Sequence, residues 1–326
     1  MDKSQSLPLG ARPVELALVF LFAFVAVWLV ADWAFGPDET PVAEGAPADQ
    51  TSQLATFAPP AFDTIPEGPD GDAIRRGQQL FRETQITAAE FAGSGLECSN
   101  CHIDDGRLAD ASPMWAAWGM YPAYRSKNDR INTMEDRIMG CFVYSMNAGI
   151  SPSGGPPPAG HPIYKDFEAY FKWLASGVPT GTEMPGRGYP DVPLPAGGYD
   201  RERGAQVYAE HCVTCHGENG EGVEAPDGTY FYPPLWGPRS FNWGAGMSRL
   251  SNASGFIKAN MPFEMDITLT DEQAWDVAAY VVGHERPADP RQQDRSIEET
   301  RAAHHANGDD FYGQVIDGDL LGDGVE

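Results

Sequence analysis

Cys98-Ser99-Asn100-Cys101-His102 and Cys212-Val213-Thr214-Cys215-His216 share one pattern, Cys-x-x-Cys-His. Two thiols three positions apart reach the two vinyl groups of a haem, and a histidine directly after them falls under the iron. This is the attachment signature of haem c. The two copies use four of the five cysteines in the chain. A redox dithiol has no use for the adjacent histidine, and no further cysteine pair completes a tetrahedral zinc set. The motifs therefore predict two covalently bound haems c on Cys98, Cys101, Cys212 and Cys215, with His102 and His216 as proximal iron ligands. Disulfides are not expected, since only Cys141 remains.

The surroundings of the two motifs repeat as well. Ala73 to Phe81 reads as a short amphipathic helix ahead of the first motif, and Arg203 to Tyr208 carries the same pattern ahead of the second. Each contains a glycine, Gly77 and Gly204, which costs helix stability unless a neighbouring backbone needs the space. The spacing predicts close helix–helix contact at both. The matching late helices are Tyr164–Ser176 and Asp271–Val282, the latter with Thr270 as N-cap and two acids in its first turn. Early helix, haem motif, loops and late aromatic helix thus occur twice. The fold expected is mainly α: two tandem class I cytochrome c-like domains, over 71–180 and 181–290, joined by the segment 178–200 with its Pro and Gly clusters.

The ends differ from this core. Val14 to Phe35 is almost wholly apolar and long enough to cross a bilayer as a helix. Lys3 and Arg12 precede it, so 1–13 is expected in the cytoplasm and 14–35 as a single transmembrane anchor, or an uncleaved signal. Residues 36–70 read as an extended, poorly ordered Pro/Ala/acidic spacer, and 291–326 as a loosely packed acidic tail without chemistry. Haem c is attached outside the cytoplasm, so the expected location is the periplasmic side of a bacterial inner membrane. The net charge of −25 argues against nucleic acid and suits basic redox partners.

The distal ligands decide what each haem does. Met261, in Asn260-Met261-Pro262, lies where a class I cytochrome places its ligand loop, with Lys258, Met247 and Met265 as competitors. Between the first motif and its late helix lie Met114, Met120, Met134, Met139, Met146 and the odd Cys141. Thr133 with Asp136 resembles a capping box, and Asn147-Ala148-Gly149 is a stop signal. A helix between them places Arg137, Cys141 and Ser145 at i, i+4 and i+8 on one face. A cation one turn from a thiol stabilises its thiolate. Arg125, Lys127, Arg130 and Arg137 fall within thirteen positions of a very acidic chain, which suggests an anion pocket.

The run Arg130-Ile-Asn-Thr-Met-Glu-Asp-Arg137-Ile-Met-Gly-Cys141-Phe-Val-Tyr-Ser145-Met resembles the dihaem thiosulfate dehydrogenases, tetrathionate-forming cytochromes c. It is more distantly similar to the haem subunit of the sulfur-oxidising thiosulfotransferase, which uses a cysteine as haem ligand. The resemblance covers roughly 70–290. It implies His102/Cys141 ligation at a catalytic haem and His216/Met261 ligation at an electron-exit haem. It also implies thiosulfate held beside Cys141 by Arg137, Arg130 and Lys127, with Ser145 on the same face. Two thiosulfates would join through sulfur, or tetrathionate be split in reverse, with electrons passed to a partner cytochrome or a membrane oxidase. The membrane anchor and the long tail depart from the family pattern. The competing expectation is a membrane-anchored dihaem electron shuttle without substrate chemistry, for which Cys141 and its basic surroundings have no use.

Overall fold

A computed structural model describes residues 57–325, which fall within one compact unit, Gln53–Glu326. The apolar stretch 14–35 lies outside the described residues. Among the described residues no helix is long and apolar enough to cross a membrane.

Seven helices of eight residues or more form the frame of the described chain: α1 Pro69–Arg82, α2 Met134–Tyr144, α3 Pro162–Leu174, α4 Arg201–His211, α5 Leu250–Asn260, α6 Asp271–Val282 and α7 Ile297–His304. Strands occur only as short antiparallel pairs, the first being β1 Ala123–Arg125 with β2 Arg130–Asn132. The remainder is loop and single turns, as the 36 glycines and 28 prolines require.

The expected crossing of first and last helices occurs in both halves, α1 on α3 and α4 on α6. A Cβ on Gly77 would lie 2.1 Å from the Asp166 carbonyl oxygen, and one on Gly204 would lie 2.0 Å from that of Asp276. Only glycine lets the backbones approach so closely. The neighbouring arginine locks each crossing. Arg76 donates to both carboxylate oxygens of Asp166, at 3.0 and 2.7 Å. Arg203 does the same to Asp276, at 2.7 and 2.9 Å. Around the first crossing Phe81, Phe142, Phe167, Tyr170, Phe171 and Leu174 are buried in one cluster. Each such side chain contributes roughly 1.5–3 kcal/mol on leaving water.

The tandem halves share a core. Phe241 and Ala245, from the second, are buried in the core of the first, and Asn242 donates to the Val143 carbonyl at 2.9 Å. Two expectations change. The spacer does not run loose as far as residue 70: the Phe57 ring sits 5.1 Å from that of Trp115, Phe62 stacks on Trp173, and α1 begins at Pro69. The tail is built in. Phe311, Tyr312 and Leu321 are buried against the second half. His305 is held between Asp310, at 2.6 Å, and Asp289, at 3.0 Å. The Pro, Gly and acid content that suggested loose segments says nothing of the few aromatic residues that pin them.

Candidate functional site

Both haem motifs coil into single turns, the second directly after α4 and the first after a short run of loop and single turns that follows α1. In the first, His102 Nδ1–H donates to the Ser112 carbonyl at 2.7 Å. In the second, His216 Nδ1–H donates to the Pro233 carbonyl at 2.9 Å. A carbonyl only accepts, so each ring carries its proton on Nδ1 and keeps Nε2 free as a metal ligand. Burial pushes the His102 pKa down to about 4, which favours the neutral, ligating imidazole. Burial also pushes the Cys98 and Cys101 thiols up to about 12, as suits sulfurs destined for thioether bonds in an apolar slot.

Cys98 and His102 line one side of a partly open cleft. α2 supplies the other side, with Met134, Arg137, Ile138, Cys141 and Phe142. The sequence builds that helix as expected. Thr133 accepts from the Asp136 N–H at 3.1 Å and Asp136 accepts from the Thr133 N–H at 2.8 Å, a full capping box. Asn147, with φ 48°, takes the left-handed position that ends the run. One turn apart, Arg137 Nη1 donates to Cys141 Sγ at 3.2 Å. The Cys141 charge holds the Arg137 guanidinium above its ordinary value, more than offsetting burial. The Cys141 thiol and the His102 imidazole share the cleft with the attachment cysteine Cys98, so the residues present fit haem c with a sixth ligand from α2.

Two further cations line the cleft, Arg125 and Arg187, and no Asp or Glu does. In a chain of net charge −25 this is a local reversal of sign. The other basic residues expected here lie elsewhere. Arg130 is mostly exposed on β2 and pairs with Asp136 at 2.9 Å. Lys127 turns to the Gly244 carbonyl and sits 3.6 Å above the Tyr144 ring. Burial first, and then Arg291 and Arg137, pull the Lys127 pKa down to about 7. Ser145 caps α2 through its backbone, donating N–H to the Cys141 carbonyl at 2.9 Å, and is absent from the cleft lining. At i+8 the 3.6-residue period has drifted, and the helix ends at Tyr144.

The second site is apolar. Cys212 packs with Leu235, Trp236, Ile257 and Ile267 against Tyr208 and Val277. Ile257 also packs against the cluster that Met261 joins, together with Ile103 and Phe256. Of the competitors for Met261, Lys258 is tied to the Leu269 carbonyl at 2.7 Å and to Asp271 at 2.8 Å. Met265 is 54 % exposed, and Met247 packs against several core clusters.

Sequence reasoning missed Arg187 and Tyr189. Both belong to the segment joining the halves, where Arg187 is the single Lys or Arg between residues 178 and 200. That isolation was the available signal.

Residues 201–285 match the cytochrome c family. The thiosulfate dehydrogenase of Stutzerimonas stutzeri (strain A1501) is 49 % identical over 83 % of this chain and 86 % of its own length. That of Thiomonas intermedia (strain K12) is 42 % identical over 95 % of this chain and 96 % of its own. Among solved structures, a thiosulfate dehydrogenase (TsdBA) from Marichromatium purpuratum in its as-isolated form has a TM-score of 0.80 at 53 % identity. The match covers 83 % of this chain and 58 % of that longer one.

Proposed function

This chain belongs to the thiosulfate dehydrogenases, and from that we propose that it joins two thiosulfates into tetrathionate at Cys141. The observation that carries the reading is the Arg137–Cys141 contact of 3.2 Å inside the cleft that also holds Cys98 and His102. His102 and Cys141 would hold the first iron, His216 and Met261 the second. The two haems, when bound, take up one electron each.

The residues of the chain account for the rest. Two dianions about 5 Å apart repel by roughly 3 kcal/mol even in water, and by more in a cleft. Arg125 and Arg137 offset that repulsion. Cys141 serves as the nucleophile. Its thiolate bonds the sulfane sulfur of one thiosulfate with loss of two electrons, giving Cys–S–S–SO₃⁻. The sulfane sulfur of a second thiosulfate attacks that sulfur, tetrathionate leaves, and the thiolate returns. Arg137 stabilises the thiolate at both ends of the cycle. His216 and Met261 would hold the haem from which a redox partner, a cytochrome or a membrane oxidase, takes the electrons. The 14–35 stretch is proposed to anchor the protein on the periplasmic side of the inner membrane.

Stoichiometry tests the reaction. With an excess of one-electron acceptor, the purified holoprotein should consume two thiosulfates and reduce two acceptors for each tetrathionate formed. Sulfite or sulfate as the main product would overturn the proposal.

A further inference from the structure

The cleft owes one cation to the segment that joins the two haem-bearing halves. Arg187 lies in the joining segment, and its backbone is fixed on both sides. The Asp110 N–H donates to the Gly186 carbonyl at 2.8 Å and the Ser112 N–H donates to the Gly188 carbonyl at 3.1 Å. Ser112 is also the residue whose carbonyl holds His102 in its ligating tautomer. Gly186 is required at its turn: φ is +71°, and a Cβ would meet that of Ala109 at 2.8 Å. Two residues on, the ring of Tyr189 packs edge-on against Phe256 of the second half, 5.5 Å between centroids. The segment is thus a wall of the first cleft, with its position set by the haem loop itself.

The Arg187 side chain lines the cleft and pairs with Glu183 at 2.7 Å, the two side chains 45 % and 70 % exposed. An exposed pair of this kind is weak and easily exchanged. We propose that Arg187 is a substrate-binding residue, placed at the cleft mouth by the joining segment, that trades Glu183 for the sulfonate oxygens of an incoming thiosulfate. The guanidinium fork matches two oxygens of such a group, as an ammonium does not. The proposal rests on the tetrathionate-forming reading above. It goes beyond it by assigning to a residue of the joining segment the capture of the second dianion, for which Arg125 and Arg137 alone leave a deficit of charge.

A haem also carries two carboxylates, which an arginine in this cleft could serve instead, and the test separates the two. Tetrathionate formation by the holoprotein is measured for wild type, Arg187→Gln, Arg187→Lys and Glu183→Gln, with the reduction potential of the first haem measured without thiosulfate. Arg187→Gln should raise KM for thiosulfate about tenfold with kcat changed less than about twofold. It should also flatten the fall of kcat/KM with ionic strength. Arg187→Lys should recover part of the loss, and Glu183→Gln should lower KM. The first-haem potential should stay the same in all four. An unchanged KM in Arg187→Gln overturns the proposal. So does a shifted potential without substrate, which would give the guanidinium to the haem carboxylates. If wild type forms no tetrathionate, the proposed reaction itself fails; if wild type forms it and only the Arg187 effects are missing, the reaction stands and this inference falls.

Discussion

In the first half of the molecule Arg76 grips Asp166 beside Gly77, and in the second Arg203 grips Asp276 beside Gly204. Tyr170 follows Asp166 by one turn as Tyr280 follows Asp276, and both side chains border the glycine. The proximal histidines are held alike, each by a backbone carbonyl. On the opposite side the likeness ends. The first half places a capped helix there, with Arg137 bonded to Cys141. The second places a loop after α5, with Met261 among apolar neighbours. One frame therefore serves two purposes, and function resides in the segment between haem motif and late helix. On the ligation proposed above, a thiolate at one haem and a thioether at the other would separate their potentials and set a direction for electrons.

The largest effect should come from making the first site chemically like the second. Cys141→Met keeps an apolar side chain of similar reach in a helix already rich in methionine. It removes the only thiol left free by haem attachment. Tetrathionate formation, followed with an artificial acceptor, should fall roughly a hundredfold or more. Arg137→Ala should cost less and act mainly on thiosulfate affinity, while Arg130→Ala should change affinity less than about twofold, because its exposed partner is Asp136. Equal losses in the two arginine variants would mean that Arg130 reaches the cleft in solution.

The shared frame makes a second prediction, of intermediate size. Gly204→Ala forces a methyl group into the Asp276 backbone, and Gly77→Ala does the same at Asp166. Each should destabilise the protein by about 1–3 kcal/mol, read as a lower unfolding temperature in both variants. A harmless alanine at either position would show that the two crossings are not equivalent.

These crossings were legible in the sequence because a glycine inside an amphipathic helix costs stability without a neighbour to justify it. The Asp271–Val282 helix was read to the residue, since Thr270, two acids and an aromatic stripe mark it from cap to end. The Thr133 cap and the Arg137–Cys141 pair followed from local spacing in the same way. What failed was everything that depends on where a long side chain turns. Arg130 and Lys127 were close in sequence to the cleft, yet the β1–β2 hairpin points them to Asp136 and Gly244. Arg187 is brought in by backbone pairing between residues 110–112 and 186–188, a contact that no periodicity announces. The tail was misjudged for the same reason, its burial resting on a few scattered residues such as Phe311, Tyr312, Leu321 and His305.

The smallest effect belongs to that tail, which packs on the second half and gives it a pH response of its own. Against the cost of burial, Asp289 and Asp310 hold the His305 pKa above its ordinary 6.5. Against the same cost, His305 and Arg291 hold the Asp289 carboxyl well below its ordinary 3.8. The raised histidine stabilises fully below about 6.5 and ceases to as pH climbs through its folded value. The depressed carboxylate stabilises above about 3.8 and ceases to as pH falls below that. Unfolding temperature should therefore decline above about pH 6.5 in wild type and do so less in His305→Gln. An identical pH profile in the two would remove His305 from the account.

The measurement closest to the central claim is the low-temperature EPR spectrum of the fully oxidised protein, recorded for wild type, Cys141→Met and Met261→Ala. Two distinct low-spin haem signals are predicted in wild type, one with the narrow spread of g values that a thiolate ligand gives. That signal should vanish in Cys141→Met and persist in Met261→Ala, while the other should change only in Met261→Ala. A thiolate signal that survives Cys141→Met, or two like signals in wild type, would contradict an account in which one frame carries two different distal ligands.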